Sequence, residues 1–368
     1  MILTKLSSIE EGSVLAKDIY SSNGNILLKE GSLLTKDIIK KLKGYGITHV
    51  YVKTNLTKNI KPKRLVKEST KKLAVTTAKK YITAFNTENI SINKSKKEKK
   101  LFNQEELLDI IDELLNDIFN NENLLVNLRD IRKLDDELFF HSTNVTILSL
   151  IIAKILNYHK KELRPLGLGA FLHDIGKIKI PSEILNKKGK LSDKEFEKVK
   201  EHSAYSYQTL ISSPNIPEIS AIIAHQHHEK CDGSGYPLGL SKEDIHPFSR
   251  IVTIADIFDA LQNNRSYRNA LKNKEIIKHL TSMTKNNQLD NEIIKKVLNY
   301  LVPFPSGSRV RLYNKTNSLL LEGIVIEINN DITKPLVQIL KINNRKIDKP
   351  LLVNLEKELT DYNVEEVI

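Results

Sequence analysis

The chain contains almost no cysteine and has no long run of apolar residues. Cys231 is the one cysteine among 368 residues, so no disulfide can form within the chain. No stretch approaches the ~20 consecutive apolar residues that a membrane-spanning helix requires. The N-terminal sequence MILTKLSSIEEGSV lacks the apolar core of a signal peptide. Together these absences predict a cytoplasmic protein with no membrane span.

Positive charge, by contrast, is concentrated in one segment. The net charge is +12, and residues 53–100 hold 15 lysines and arginines against 3 acidic residues, which leaves 42 of each sign elsewhere. Lysine alternates there with polar residues, as in KPKRLVKESTKK, without the interleaved aromatic contacts of nucleic-acid-binding modules. We therefore predict a basic, helical, solvated linker over residues 54–102 and no nucleic acid polymer as partner. Another anionic partner for this segment stays open.

Hydrophobic periodicity divides the rest of the chain into three parts. In residues 1–53, two short strands around an Asn-Gly turn, the amphipathic stretch LTKDIIKKLKGYG and a final strand predict a small α/β module. From residue 103 to 300 the spacing is helical, as in EELLDIIDELLNDIF and then ENLLVNLRDIRKL. Residues 301–368 alternate apolar and polar residues and predict a small β appendage. The predicted fold class is multidomain, with an all-α bundle as its core.

Two motifs in the helical part carry metal-binding groups. Residues 225–237 read HQHHEKCDGSGYP, which places adjacent imidazoles beside a glycine-rich loop. Residues 172–177 read LHDIGK, an adjacent imidazole and carboxylate at a predicted helix end, where Gly176 is expected to adopt the left-handed cap. An HH pair alone is a weak signal. The two motifs together predict a metal site.

HDIGK followed by HHEKCDGSGYP resembles the HD-GYP phosphodiesterases, which hydrolyse the bacterial second messenger cyclic di-GMP. The resemblance is close from Asp136 to Arg268 and looser toward both ends. It implies an HD-GYP helical bundle as the catalytic core, and metal ligands from several facing helices. By itself His202 is typical of an exposed or capping histidine, and only the resemblance implies that it is a ligand. The implied metal ligands are Glu137, His141, His173, Asp174, His202, His227, His228 and Asp256.

Five imidazoles and three carboxylates exceed the needs of one tetrahedral zinc ion. Such mixed nitrogen and oxygen ligation suits two or three divalent ions, with iron or manganese favoured. In the family, a glutamate at the position of Glu137 is associated with a third ion. Paired ions about 3.5–4 Å apart activate a water and hold a phosphodiester for in-line attack. The expected first product is linear pGpG, and GMP is a slower, conditional product.

The remaining candidate residues are expected to bind substrate. Asp174 and Lys177 are the candidate catalytic residues, and Lys177 is expected to stabilise charge on the phosphoryl oxygens. Asp232, Gly235 and Tyr236 shape the loop over the site. Arg265 and Arg268 match the family pattern that binds phosphates, although Ser266 replaces the usual proline.

Two alternatives remain open at this point. One is another HD-type nucleotide phosphohydrolase, which the GYP loop disfavours because simpler HD enzymes lack it. The other is a catalytically silent cyclic di-GMP receptor, which the intact HD and HH pairs disfavour. The sequence leaves open protein partners at the GYP loop or the N-terminal module, and also the oligomeric state.

Overall fold

A computed structural model describes most of the chain. The described residues are 2–20, 26–45, 47, 49–53, 65–88, 103–121, 137–187, 189–262, 271, 273–304, 306–314 and 319–366. The predicted Asn-Gly turn at residues 23–24 and the predicted helical stretch at residues 122–134 lie outside these ranges.

The N-terminal part contains short strands and one helix. Its elements are β1 (Ile2–Lys5), β2 (Ser13–Leu15), β3 (Ile19–Tyr20), β4 (Ile26–Leu28), β5 (Leu33–Leu34), α1 (Lys36–Gly44) and β6 (His49–Lys53). Four of the strands form an antiparallel sheet in the order β1-β6-β2-β5, and β3 pairs with β4. Thr35 caps α1 by accepting a hydrogen bond from the backbone N–H of Ile38. Leu15, Leu34 and Leu42 form the centre of a small separate core.

Helix α2 (Glu68–Glu88) lies inside the segment predicted to be a solvated linker, but one of its faces is buried against the helical bundle. Ala74, Ala78 and Tyr81 join the core of the bundle, and the Tyr81 hydroxyl donates a hydrogen bond to Glu106 at 2.7 Å. The buried face is built largely from alanine and threonine, whose small side chains allow close helix contact without a strong apolar signal. For this reason the helix resembled a solvated segment in the sequence.

The bundle itself consists of nine further helices in the described ranges. They are α3 (Gln104–Phe119), α4 (Glu137–Ile155), α5 (Arg164–Leu172), α6 (Ser182–Leu185), α7 (Asp193–Ile211), α8 (Glu218–Gln226), α9 (Pro247–Gln262), α10 (Asn273–Lys285) and α11 (Asn291–Leu298). The apolar stripe predicted on α3 is buried in the shared core. Helix α5 is central, and all of its residues from Leu166 to Leu172 are buried. Its packing against α4 and α8 sets the floor of the site.

The C-terminal part is a sheet with its own core. Its strands are β7 (Arg309–Tyr313), β8 (Leu320–Glu327), β9 (Leu336–Ile342), β10 (Arg345–Asn354) and β11 (Asn363–Glu366). They form one antiparallel sheet in the order β10-β9-β8-β7-β11. The chain is thus helix-rich with small sheets at its two ends. Within the described ranges, no helix combines the length and the apolar character needed to cross a bilayer.

Candidate metal centre

Five helices bring histidine and aspartate side chains to one point in the bundle. Two of the helices, α5 and α8, contribute an adjacent pair of residues from their C-terminal ends. The contributing residues are His141 on α4, His173 and Asp174 at the end of α5, His202 on α7, His227 and His228 at the end of α8, and Asp256 on α9. Seven of the eight predicted ligands therefore converge.

These side chains fall into two groups, each able to hold a metal ion. One group is Asp174, His202, His227 and His228, and the other is His141, His173 and Asp256. Within each group one ligand atom per residue lies within 4.8 Å of the others. All seven side chains are buried except His228, whose side chain is 23% exposed. The second group is therefore closed, and the first reaches the surface through His228.

Asp174 lies between the two groups and presents one carboxylate oxygen to each. Its Oδ1 lies 3.3 Å from Nε2 of His202 and 3.8 Å from Nε2 of His227. Its Oδ2 lies 3.4 Å from Nε2 of His141 and 3.3 Å from Nε2 of His173. A carboxylate placed in this way could serve both groups if each of them held an ion.

Backbone carbonyl groups fix which nitrogen three of the histidines, His173, His202 and His227, offer to the centre. Nδ1 of His173 lies 2.7 Å from the carbonyl oxygen of Ala170, and Nδ1 of His227 lies 2.9 Å from that of Ala224. His202 repeats the pattern, with Nδ1 2.6 Å from the carbonyl oxygen three residues earlier in α7. A carbonyl can only accept, so Nδ1 carries the proton and Nε2 keeps its lone pair for a metal.

His141 is oriented by a carboxylate that the sequence analysis left outside the ligand set. Its Nδ1 lies 2.7 Å from Oδ2 of Asp259, and Asn144 donates a hydrogen bond to Oδ1 of the same carboxylate at 2.9 Å. Asp259 follows the ligand Asp256 by three residues on α9, so the two face the same side of that helix. This helical spacing was the sequence signal that could have identified it. His225, also left outside the ligand set, stacks on Tyr207 away from both groups.

Burial keeps most of the imidazoles neutral. It lowers the pKa of His202 to about 4, despite the opposing charge of Asp174. It also lowers the pKa values of His227 and His228 well below the usual histidine value. Neutral imidazole is the form that binds metals, so these three rings are ready to ligate at neutral pH.

The surroundings of His141 are instead strongly negative. Burial alone would lower its pKa, but hydrogen bonds with Asp174, Asp256 and Asp259 outweigh burial and hold the pKa of His141 well above its usual value. Burial would likewise raise the pKa of Asp174, yet the positive charge of Lys177 holds it well below the ordinary range. The carboxylates are thus ionised and favour a cation among them.

The atoms at the centre fit bound divalent metal ions. Nε2 of His173 and Oδ1 of Asp174 are buried and have no hydrogen-bond partner among the described residues. Buried polar atoms without partners are rare and require an explanation, and here they face the other ligand atoms of their groups. The donors are nitrogen and oxygen only, which suits hard or borderline divalent metals.

Lys177 lies at the edge of the centre, where it was predicted. Its ammonium donates a hydrogen bond to Oδ2 of Asp174 at 2.5 Å, and its side chain is 23% exposed. The Lys177 side chain therefore extends from the Asp174 carboxylate to the partly exposed edge of the centre.

Gly176, between Asp174 and Lys177, was predicted to adopt a left-handed helix cap, and this prediction is wrong. Its φ is not positive, and it lies within a short 3₁₀ helix, Ile175–Lys179. Glycine is required by a close approach, because an added Cβ would lie 2.2 Å from the carbonyl oxygen of His202 and 2.5 Å from the backbone nitrogen of Ser206. Gly176 thus allows the HD motif to pack directly on α7.

The loop after the HH pair folds back over the centre. Gly235 packs against the backbone of the pair, where a Cβ would lie 2.6 Å from the carbonyl oxygen of His228. Tyr236 places its ring 4.7 Å from the ring of His228, and its backbone N–H donates to the same carbonyl. Glu229, which the sequence analysis passed over, is buried and accepts hydrogen bonds from the backbone N–H groups of Leu238 and Leu240. It closes the loop at its base.

Asp232 is a predicted substrate-binding residue that the structure describes, and it joins neither ligand group. Asp232 is exposed, and its Oδ1 accepts hydrogen bonds from Ser234, so it stabilises its own turn. Glu137 begins α4, and its side chain lies outside what the structure describes. Arg265 and Arg268 also lie outside the described residues.

Replacing Asp259 with asparagine is expected to lower metal affinity roughly 10–100-fold, the usual effect of losing an outer carboxylate partner. The amide keeps the size of the side chain but removes the charge that orients His141. Isothermal titration of the metal-free protein with Mn²⁺ measures the change. Asp117→Asn removes a buried carboxylate elsewhere in the bundle and should leave the affinity unchanged. Equal Mn²⁺ affinities of Asp259→Asn and wild type would show that Asp259 does not contribute to metal binding.

Comparison with known proteins finds similarity in the part of the chain that holds this centre. Residues 114–293 match the HD domain family. The chain is 30% identical over 214 residues to a cyclic di-GMP phosphodiesterase from Pseudomonas aeruginosa, a match that covers 58% of this chain and 51% of that protein. It is 40% identical over 166 residues to a 3′3′-cGAMP-specific phosphodiesterase from Vibrio cholerae, covering 44% of this chain and 35% of that protein. The chain spans about half or less of these curated relatives.

A solved structure shares the fold. It is an HDG"Y"P protein from Bdellovibrio bacteriovorus, which superposes with a TM-score of 0.51 at 20% identity and covers 80% of this chain and 97% of its own. At that identity the likeness concerns the fold alone. Residues 114–293 thus match an HD domain, and the curated relatives support the resemblance of this part of the chain to the HD-GYP family.

Proposed function

We propose that the protein is a metal-dependent phosphodiesterase that hydrolyses cyclic di-GMP to linear pGpG. The observation that carries the proposal is Asp174, whose two carboxylate oxygens face two separate groups of ligands. Such a geometry suits a pair of ions on one phosphodiester. A lone structural ion would need only one of the groups. The names of the curated relatives supply the substrate class, cyclic dinucleotides.

Divalent ions held by the two groups would supply Lewis-acid activation of water and of the phosphodiester. The chain's own residues would bind these ions and orient the phosphodiester. Asp174 and Asp256 would supply the negative charge that holds the ions, and the ring nitrogens of the histidines would complete the ligand sets. Lys177 places a positive charge at the edge of the site, where it stabilises the phosphoryl oxygens as their charge grows. Tyr236 and its loop narrow the mouth beside His228.

We propose iron or manganese as the metal, because the ligands are imidazoles and carboxylates without sulfur. Two ions match the two groups among the described residues. A third ion requires Glu137, which precedes His141 by one helical turn on α4 and remains a candidate ligand. GMP as a second product depends on that third ion. The single cysteine is consistent with a reducing, cytoplasmic setting.

Removal and return of metal tests the proposal directly. Protein stripped with a chelator is expected to lose hydrolysis of cyclic di-GMP, and Mn²⁺ or Fe²⁺ under anaerobic conditions is expected to restore it. The products are separated by chromatography and metals are counted by elemental analysis. Zn²⁺ serves as the comparison ion, because it prefers fewer ligands.

The same assay separates the competing functions through a substrate panel. Cyclic di-GMP, 3′3′-cGAMP, pGpG and simple nucleotides are offered in parallel to the metal-loaded protein. Faster cleavage of 3′3′-cGAMP than of cyclic di-GMP would identify 3′3′-cGAMP as the preferred substrate. Cleavage of mononucleotides alone would indicate another HD-type phosphohydrolase. Tight binding of cyclic di-GMP with no product from any substrate would indicate a silent receptor.

A further inference from the structure

A phenylalanine is exposed beside the mouth of the metal centre. Phe196 lies on α7, the helix that also carries the ligand His202, and 45% of its surface is exposed. Its ring lies 6.4 Å from the ring of Tyr236 in an edge-to-face arrangement. Tyr236 in turn lies 4.7 Å from His228. Aromatic rings thus connect a metal ligand to the outer surface.

Lys200 contacts the rings of both Phe196 and Tyr236. It lies one turn after Phe196 on α7, with its ammonium 5.1 Å from the centre of the Phe196 ring and 5.6 Å from that of Tyr236. The same ammonium binds Glu197 at 2.6 Å, which limits its freedom. Contact between a cation and two ring faces stabilises both rings in place and adds positive charge next to the mouth.

An exposed ring at this place adds little to the core. The exposure of one apolar side chain is ordinary on a protein surface, and what distinguishes Phe196 is its ring contact with Tyr236 beside the metal centre. Nucleobases stack on aromatic side chains whatever their sequence, because every base has an aromatic face. Two ring contacts, Phe196 with Tyr236 and Tyr236 with His228, join this exposed ring to the metal centre.

We propose that Phe196 is a base-stacking residue that sets the affinity for cyclic dinucleotides. Its ring takes one purine of the substrate while the phosphodiester lies over the metal centre, and Lys200 is the positioning residue that keeps the ring in place. The inference rests on the proposed function, since it assumes a nucleotide substrate at the mouth.

The test compares a large and a small substrate on metal-loaded full-length protein. For cyclic di-GMP, Phe196→Ala is expected to raise KM about tenfold with kcat nearly unchanged, the scale of losing one stacked base. For methyl p-nitrophenyl phosphate, which reaches the metals without reaching Phe196, KM and kcat should stay at wild-type values. Phe196→Tyr should restore the affinity for cyclic di-GMP. Lys200→Met should raise KM in the same direction by a smaller factor.

Ile211→Ala is the matched control, because Ile211 lies on the same helix and is equally exposed at 45%. It should change neither substrate's kinetics. Calorimetric titration of cyclic di-GMP into each variant gives Kd independently of turnover. An unchanged KM and Kd in Phe196→Ala would overturn the stacking role. A wild-type protein that binds cyclic di-GMP through Phe196 without cleaving it would overturn the proposed function alone.

Discussion

Replacing Asp174 with alanine is expected to abolish hydrolysis, with kcat reduced by roughly 10³-fold or more, as happens when one member of a cooperating catalytic set is removed. The reason is geometric. Both ligand groups share this carboxylate, so its loss weakens the two ion sites together and also removes the partner of Lys177. Turnover of cyclic di-GMP and metal content by elemental analysis measure the effect.

The companion variant Asp174→Asn separates charge from shape. The amide fills the same space but cannot supply a bridging anion, so it should lose nearly as much activity as alanine. Asp112→Ala, which breaks a surface ion pair with Arg164 on the same bundle, is the control and should retain activity and metal. Near-wild-type turnover by Asp174→Asn, with both ions bound, would contradict the bridging role.

A second large effect is expected from Gly176→Ala, and it concerns stability first. A Cβ at this position meets the backbone of His202 and Ser206, which cannot rotate away as a side chain could. The free energy of unfolding should fall by about 3 kcal/mol, at the upper end of typical overpacking costs. Thermal unfolding followed by circular dichroism measures the change. The fraction of the Gly176→Ala variant that folds should also bind metal more weakly, because relief of this clash displaces the α7 backbone at His202.

Gly44→Ala is the matched control for that experiment. Gly44 ends α1 in the N-terminal part, and nothing lies within 4 Å of a Cβ added there. Its substitution should leave the unfolding temperature almost unchanged. If Gly176→Ala were as stable as Gly44→Ala, the close approach of the HD motif to α7 would be refuted.

Several features of the site were predictable because their signals are local. The HD and HH pairs are adjacent in sequence, and their side chains lie in the two ligand groups. The apolar stripe of α3 recurs at helical spacing and is buried as expected. In each case the information lies within a few residues, so periodicity or a short motif contains it.

Other features depended on contacts between distant segments. His202 resembled an exposed histidine, yet it is buried with Nε2 3.3 Å from Asp174, 28 positions earlier in the numbering. Asp259 lies 118 positions from His141, the ring that it orients. Helix α2 contains lysines typical of a solvated segment, but its alanines pack in the core.

The sequence by itself thus determined the helical core, the resemblance to the HD-GYP family and most of the candidate ligands, because each of these is recorded in local spacing or in a short motif. Only the tertiary structure decided how the ligands divide into two groups, that Asp174 joins them and that Gly176 is required by contact with α7. The physical reason is that distances between side chains on different helices follow from packing, and packing depends on residues far apart in the chain.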